Sequence, residues 1–195
     1  FTVQIGPSFS KDAFQTQWVT AYDDISATET YSRRYIFAHL NQTTVATDFR
    51  ADWIINPKLS FQVYLQPYFV NGEYNEYKYL GTPKSYDFRK FGDDGSSIDD
   101  IYSPEGSITS YLIDPDGSGP ATSKTINNPD FNYSSIRGNA VLRWEYRPGS
   151  SLYFVWTQNR EENLGEADFN LGRSVNRILD VKPENIFLLK ISFWF

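Results

Sequence analysis

The stretch NIFLLKISFWF (185–195) decides the fold. Counted back in twos, Phe195, Phe193, Ile191, Leu189 and Phe187 form an unbroken apolar row, while Ser192 and Lys190 fall in the other row with Trp194 and Leu188. A repeat of two is the period of an extended strand, whose side chains alternate between faces; a helix would repeat near 3.6.

Three more stretches carry the same alternation. TTVATDFRADWII (43–55) and LSFQVYLQPYF (59–69) are apolar at odd positions, and SSIRGNAVLRWEYR (134–147) is apolar at even positions from Ile136 to Tyr146. Across all four stretches the apolar rows hold no charged residue, in a chain that is 22% charged. The opposite rows hold Asp48, Arg50, Asp52, Arg137, Arg143, Glu145 and Lys190. Shorter matches lie at 1–5, 14–22, 34–40 and 151–158, with 34–40 able to extend the strand at 43–55. Pro67 cannot donate to a ladder and predicts a bulge or an unpaired position.

The connections alternate in length. Asn56-Pro57-Lys58 and Arg147-Pro148-Gly149-Ser150 are tight, and Ser10-Lys11-Asp12 reads as a third tight turn. Long connections fall at about 24–33, 71–133 and 160–184, the second of them acidic and turn-rich (FGDDGSSIDD, DPDGSGPATS). Tight turns therefore gather at one end of the sheet and long loops at the other. The count is seven strands.

Composition excludes several classes. The formal net charge is −6 and the pI near 4.8, which argues against nucleic acid as a partner. Cysteine is absent, so disulfides and thiolate metal sites are out of reach. Mean hydropathy is −0.50, yet aromatics reach 17%, a combination that suits alternating strands and not disorder.

A strand that is apolar on one face fits a water-soluble sandwich or barrel with that face inward, or an outer-membrane barrel with that face in lipid. Three features favour the membrane. Stretches of 11–14 residues exceed the usual soluble strand and meet the length of about 9–11 needed to cross a bilayer at a tilt. Short turns at one end against long loops at the other match periplasm against exterior. Trp53, Trp144, Tyr146, Phe193 and Phe195 cluster toward the tight-turn end and Phe69 toward the other, as an interfacial aromatic girdle requires. The expectation is an all-β, antiparallel outer-membrane barrel with long extracellular loops. A terminal aromatic, Phe195, then reads as the signal presented to barrel-assembly machinery. Seven strands are odd where single-chain bacterial barrels are even, so residues 1–195 are expected to be the C-terminal part of one larger barrel.

The wording of the strands adds a resemblance. RRYIFAHLNQTT, LSFQVYLQPYFVNGEY, NPDFNYSSIRGNAVLRWEYRPGSSLYFVWTQNR and NIFLLKISFWF resemble a bacterial family of unknown function, the carbohydrate-binding family 9 domain-containing proteins common in Bacteroidetes. The likeness runs over most of the chain, is most specific in RGNAVLRWEYRPGS, and is weaker at 71–133. It implies an N-terminal sugar-binding β-sandwich followed by an outer-membrane barrel, and it supplies no catalytic residues.

Catalytic chemistry is thinly represented. The single histidine, His39, lies on the odd, apolar phase of its strand or at its outer end and reads as an interfacial or loop residue, not as the base of a serine hydrolase. Asp48 and Asp52 are four residues apart, roughly 13 Å along a strand, too far for a glycosidase pair. DPDGSG (114–119) lacks the spaced acids of a calcium loop and reads as an acidic turn. No catalytic residue, metal or cofactor is expected. The seven charges of the polar rows are expected to line a lumen and to pair across strands, with a braced or plugged lumen preferred to an open pore. In DFNLGRSVNRILDV (168–181), Leu171, Val175, Ile178 and Leu179 follow helical spacing, with Asp168 as the expected cap and the helix expected over or in the barrel mouth.

The functional expectation is an outer-membrane anchor or channel component of a cell-envelope assembly, linked to glycan handling. Its partners would be the lipid bilayer and lipopolysaccharide, the assembly machinery, and envelope proteins or glycans. The end of a TonB-dependent transporter and a barrel-embedded hydrolase are the alternatives.

Overall fold

The computed structural model describes residues 1–194. In chain order the elements are β1 (Thr2–Asp23), a short 3-10 turn (Thr28–Thr30), β2 (Arg33–Asn56), β3 (Leu59–Leu80), β4 (Phe88–Lys90), β5 (Ser97–Tyr102), β6 (Ile108–Asp114), β7 (Lys124–Asn127), β8 (Phe131–Arg147), β9 (Ser150–Leu164), α1 (Leu171–Asp180) and β10 (Glu184–Ser192). The fold is all-β and antiparallel. One sheet runs β1-β2-β3-β8-β9-β10, with β4 added beside β3, and a second runs β5-β6-β7. The main sheet is open: among the described residues β1 and β10 form its two edges and do not pair with each other.

Register carries the alternation across every strand. Val3 faces Ala51, Ala51 faces Val63, Val63 faces Ala140, Ala140 faces Trp156 and Trp156 faces Phe187. Toward the tight turns the next row reads Trp53, Phe61, Leu142, Phe154, Leu189; away from them it reads Ile5, Phe49, Leu65, Gly138 and turns polar on β9 and β10 with Gln158 and Asn185. Opposite them, Gln4, Arg50, Tyr64, Asn139 and Thr157 share a polar row. The two tight turns lie at one end, where Phe1 meets Trp53 edge-on at 6.4 Å and the Trp194 amide donates to Ser150 Oγ at 3.0 Å. Gly149 turns there with φ +77°, and an added Cβ would come within 3.1 Å of Trp194.

Beyond the row Lys11, Thr43, Asn71, Asn132 the polarity of the faces changes. The face that carries Asp48, Arg50 and Asp52 becomes apolar in β2, with Leu40, Ala38 and Ile36 buried. The small sheet β5-β6-β7 packs there as a cap. Ile36, Ala38, Tyr77, Tyr79, Phe91, Tyr111, Ile113 and Ile126 form one core, with the Tyr77 and Tyr111 rings 4.7 Å apart. Burying a residue such as Ile113 is worth about 1.5–3 kcal/mol, so this core holds the cap down.

A buried ion pair ties the neck of the β1–β2 hairpin. Arg34 Nε donates to Asp24 Oδ2 at 2.6 Å, and the Ser26 amide and hydroxyl donate to Asp24 Oδ1 at 3.0 and 2.6 Å. Burial alone would raise the Asp24 carboxyl, but the hydrogen bonds from Ser26 and Arg34 outweigh it and hold the group below its ordinary range.

Several expectations are corrected. Residues 1–5 and 14–22 are one strand, β1, and Ser10-Lys11-Asp12 is not a turn: Lys11 pairs with Thr43 in the ladder. The main path therefore has six strands, not seven, and Phe1 stands at the tight-turn end. The region 71–133 is no loop, because β3 runs on to Leu80 and the rest folds as β4 and the cap. The expectation for Pro67, by contrast, is met: it pairs with Ile136 on β8 and is unpaired toward β2, between Ala46 and Phe49. The helix is capped by Asn170, whose side chain accepts from the Arg173 amide at 3.0 Å; Asp168 pairs with the Arg173 side chain instead. No closed barrel is present among the described residues.

Candidate functional site

The two faces of the main sheet are the surfaces on which a function can be built, and each follows from alternation. On the apolar face, Phe1 (81% exposed), Ile5, Phe9, Trp53, Leu65, Trp144, Phe154, Trp156, Phe187, Leu189 and Ile191 are all exposed. Isolated exposed apolar residues are ordinary, but a contiguous surface of this extent marks an interaction site. Its rings pack against one another: Phe187 stacks on Phe154 at 6.1 Å and on Trp156 at 6.4 Å.

The girdle residues expected from the sequence are distributed unevenly. Trp53 and Trp144 are exposed on the apolar face near the tight turns. Tyr146 lies at a register shift, meets Trp144 at 6.1 Å and Phe193 at 6.3 Å, and its hydroxyl donates to the Ser192 carbonyl at 3.3 Å. Phe193 is 64% exposed just beyond β10. Phe69 is on the same face but buried, so it presents no ring to the surroundings. Phe195, expected as girdle and assembly signal, lies outside the described residues. Phe1, Phe154 and Trp156 lie outside the expected girdle, although alternation in 151–158 already puts Phe154 and Trp156 in one row.

On the polar face the structure brings Asp48, Arg50, Asp52, Arg137, Arg143, Glu145 and Lys190 together, but they do not pair across strands as expected. The Tyr64 hydroxyl and Gln66 Nε2 donate to Asp48 at 2.6 and 3.1 Å, and Gln62 Nε2 donates to Asp52 at 2.9 Å. The Arg50 guanidinium stacks on the Tyr64 ring at 5.1 Å. Arg143 donates to the Tyr153 hydroxyl at 3.2 Å, and its one ion pair is with Glu145 on the same strand at 3.5 Å. Arg50, Arg137 and Lys190 form no ion pair among the described residues. Neutral amides and phenols thus do the bracing that charges were expected to do. Arg50, Asp52, Gln62, Tyr64, Asn139 and Val141 line a shallow depression of about 370 Å³. Donors and acceptors of that kind suit water, ions or sugar hydroxyls. No histidine stands on this face within β1–β3 or β8–β10, and Asp48 and Asp52 keep their four-residue separation.

Outside the two faces the remaining candidates are structural. His39 Nδ1 stands 3.9 Å from Glu76 Oε2. The Asp114 carboxylate accepts from the Asp116 and Gly117 amides at 3.2 and 2.8 Å, which holds its pKa below the ordinary carboxylate range and makes DPDGSG a self-capped turn. No group of metal-ligating side chains occurs among the described residues. No helix of the described residues is long and apolar enough to cross a membrane, which leaves crossing by strands untouched.

No curated protein and no solved structure matches the chain. A family model described as a domain of unknown function (DUF5916) matches residues 100–195, the part that runs from the cap through β8, β9 and α1 to the last strand.

Proposed function

We propose that the chain is a sector of an outer-membrane β-barrel that serves as a membrane anchor or channel component of a cell-envelope assembly, with a link to glycan binding or uptake. The observation that carries this reading is the continuous apolar band, about five rows deep on β1, β2 and β3, backed by a face of charged and amide side chains. A soluble sandwich would bury the band against a second layer, yet no residue of positions 45–53 or 59–67 is buried, and the cap packs on the other face. Lipid offers backbone groups no partner, so the edges of β1 and β10 would be paired by further strands that complete the barrel. The cap lies on the face that would line the lumen, which favours an anchor or a gated channel over an open pore.

The test is photolabelling of the native protein in vesicles whose acyl chains carry a diazirine. Tags are expected on 1–9, 45–53, 61–67, 136–144, 152–156 and 187–191, at the apolar positions. Labelling that spares these positions, or that falls equally on Gln62, Tyr64 and Arg143, would sink the proposal.

A further inference from the structure

We propose that α1 is a membrane-surface helix whose Leu171, Val175 and Leu179 rest in the headgroup boundary of the lipid, at the loop-end rim of the apolar band. This inference rests on the membrane reading above and adds a lipid-contacting element outside the strands.

The helix does not enter the polar face. Every side chain of the main sheet that holds it or its lead-in belongs to the apolar phase. Asn71 Nδ2 donates to the Ala167 carbonyl at 3.0 Å, and Asn132 Nδ2 to the Asp168 carbonyl at 2.8 Å. Arg160 Nη1 donates to the Leu179 carbonyl and, at 3.2 Å, to that of Val181. Arg177 Nε lies 3.5 Å from Glu162. By register Arg160 is level with Ile136 and Pro67, and Glu162 is level with Ser134 and Phe69. The C-terminal end of α1 is therefore at the upper border of the band, and its lead-in is one to two rows higher.

The helix divides its surface in a way that the sheet alone does not explain. Ser174 and Ile178 are buried against the sheet at 1% and 0% exposure. Leu171 and Leu179, which flank that contact, are 39% and 55% exposed, and Val175 lies between them half-buried. At 100° per residue these three form one stripe beside the sheet contact, while Asn176 lies opposite that contact, about 60° beyond Leu179 and about 140° from Leu171.

Charge chemistry fits a lipid boundary. Arg160 is spent on carbonyls at the helix C-terminus, where a cation opposes the dipole. Arg177 is held by Glu162 and, at 3.2 Å, by Glu166, and Arg173 by Asp168. The three arginines around the helix are thus each held by a partner, and the stripe beside the sheet contact is apolar. Three side chains present far less than the roughly 800 Å² per partner of a stable protein interface. They are enough to extend a surface that already faces hydrocarbon, so the occupant is lipid.

The chain contains no cysteine, so single labels can be introduced without removing a native thiol. Nitroxide labels at Leu171→Cys, Leu179→Cys and Asn176→Cys would be read in the full-length protein in bilayers, with Phe187→Cys and Leu142→Cys reporting the band. Relaxation by oxygen and by a water-soluble nickel chelate measures depth. The oxygen-to-nickel ratio at Leu171→Cys and Leu179→Cys should be several-fold above that at Asn176→Cys and below that at Phe187→Cys. Stripe labels as nickel-accessible as Asn176→Cys, with Phe187→Cys and Leu142→Cys still oxygen-dominated, would overturn the helix and leave the barrel standing. Stripe labels shielded from both reagents would mean a protein partner and also overturn it. Nickel access at Phe187→Cys and Leu142→Cys would overturn the membrane reading and the helix with it.

Discussion

An arginine moved through the apolar band separates lipid from water by the shape of its cost. On β3 the band runs from Leu59 to Phe69. Ten steps at about 3.4 Å each span about 34 Å, and a tilt near 40° leaves about 26 Å, close to the ~25 Å apolar belt of a membrane barrel. Along β3 itself, Leu65 then stands about 3 Å from the midplane, Phe61 about 8 Å and Leu59 about 13 Å. Leu65→Arg should cost about 2–4 kcal/mol, Leu59→Arg about 0–1, and Phe61→Arg an amount between them. In water the cost would follow burial and not depth, so Leu65, 39% exposed against the half-buried Phe61 and Leu59, would lose least. The assay is guanidinium unfolding of the native protein from phospholipid vesicles, with stability read for all three variants. Equal losses at the three depths would refute the band as a lipid surface, and so would a larger loss at Leu59 than at Leu65.

Three further outcomes follow from particular contacts. Asp24→Ala strands the buried Arg34 and should cost about 3–5 kcal/mol locally, read as faster hydrogen exchange over 23–34. Because the Asp24 pKa is lowered on folding, its contribution is complete above the ordinary carboxylate value and lost only as pH falls through the lowered one. Hence the same segment should loosen in strong acid and stay protected at pH 5; loosening at pH 5 would contradict this. Ile113→Asp puts a charge at a fully buried cap position and should raise unit conductance in planar bilayers if the cap roofs a lumen. A loosened cap with unchanged conductance would refute the roof. Trypsin on intact cells should cut at Lys84, exposed with φ 56° in the turn before β4, and spare Lys58, exposed in the tight turn between β2 and β3. Cutting at Lys58 alone would mean the topology is inverted.

The strands were legible because alternation is written residue by residue, and register only had to align rows that were already uniform. The error in β1 has a physical cause. Ser10-Lys11-Asp12 looks like a turn, but Lys11 belongs to the row with Thr43, Asn71 and Asn132, where β1, β2, β3 and β8 have left the apolar band. Polar residues there mark a border, not a reversal. The cap was illegible for the opposite reason. Tyr111, Ile113 and Ile126 stand among Gly, Asp and Ser with too few neighbours to make a pattern, and only folding against Ile36 and Ala38 turns them into a core. Pairing on the polar face was misjudged because formal charges were counted while Gln62, Tyr64 and Gln66, in the same row set, were not weighed as donors.

The border row also explains why the sheet is dressed differently on its two sides. Below it, β2 alternates between apolar Phe49, Ala51, Trp53 and charged Asp48, Arg50, Asp52, and no protein layer covers the apolar side. Above it, the even positions of β2 turn into Leu40, Ala38 and Ile36, and the cap covers them. On the other side, the buried Ser134 and Asn132 are covered by α1 and its lead-in. A sheet in water throughout would need such cover along its full length. Here the protein supplies its own layers only beyond the border, and the exposed stretch left over matches the thickness of a bilayer belt. The cover stops where lipid would begin, and the helix that marks that limit leaves Leu171 and Leu179 open on the side of the band.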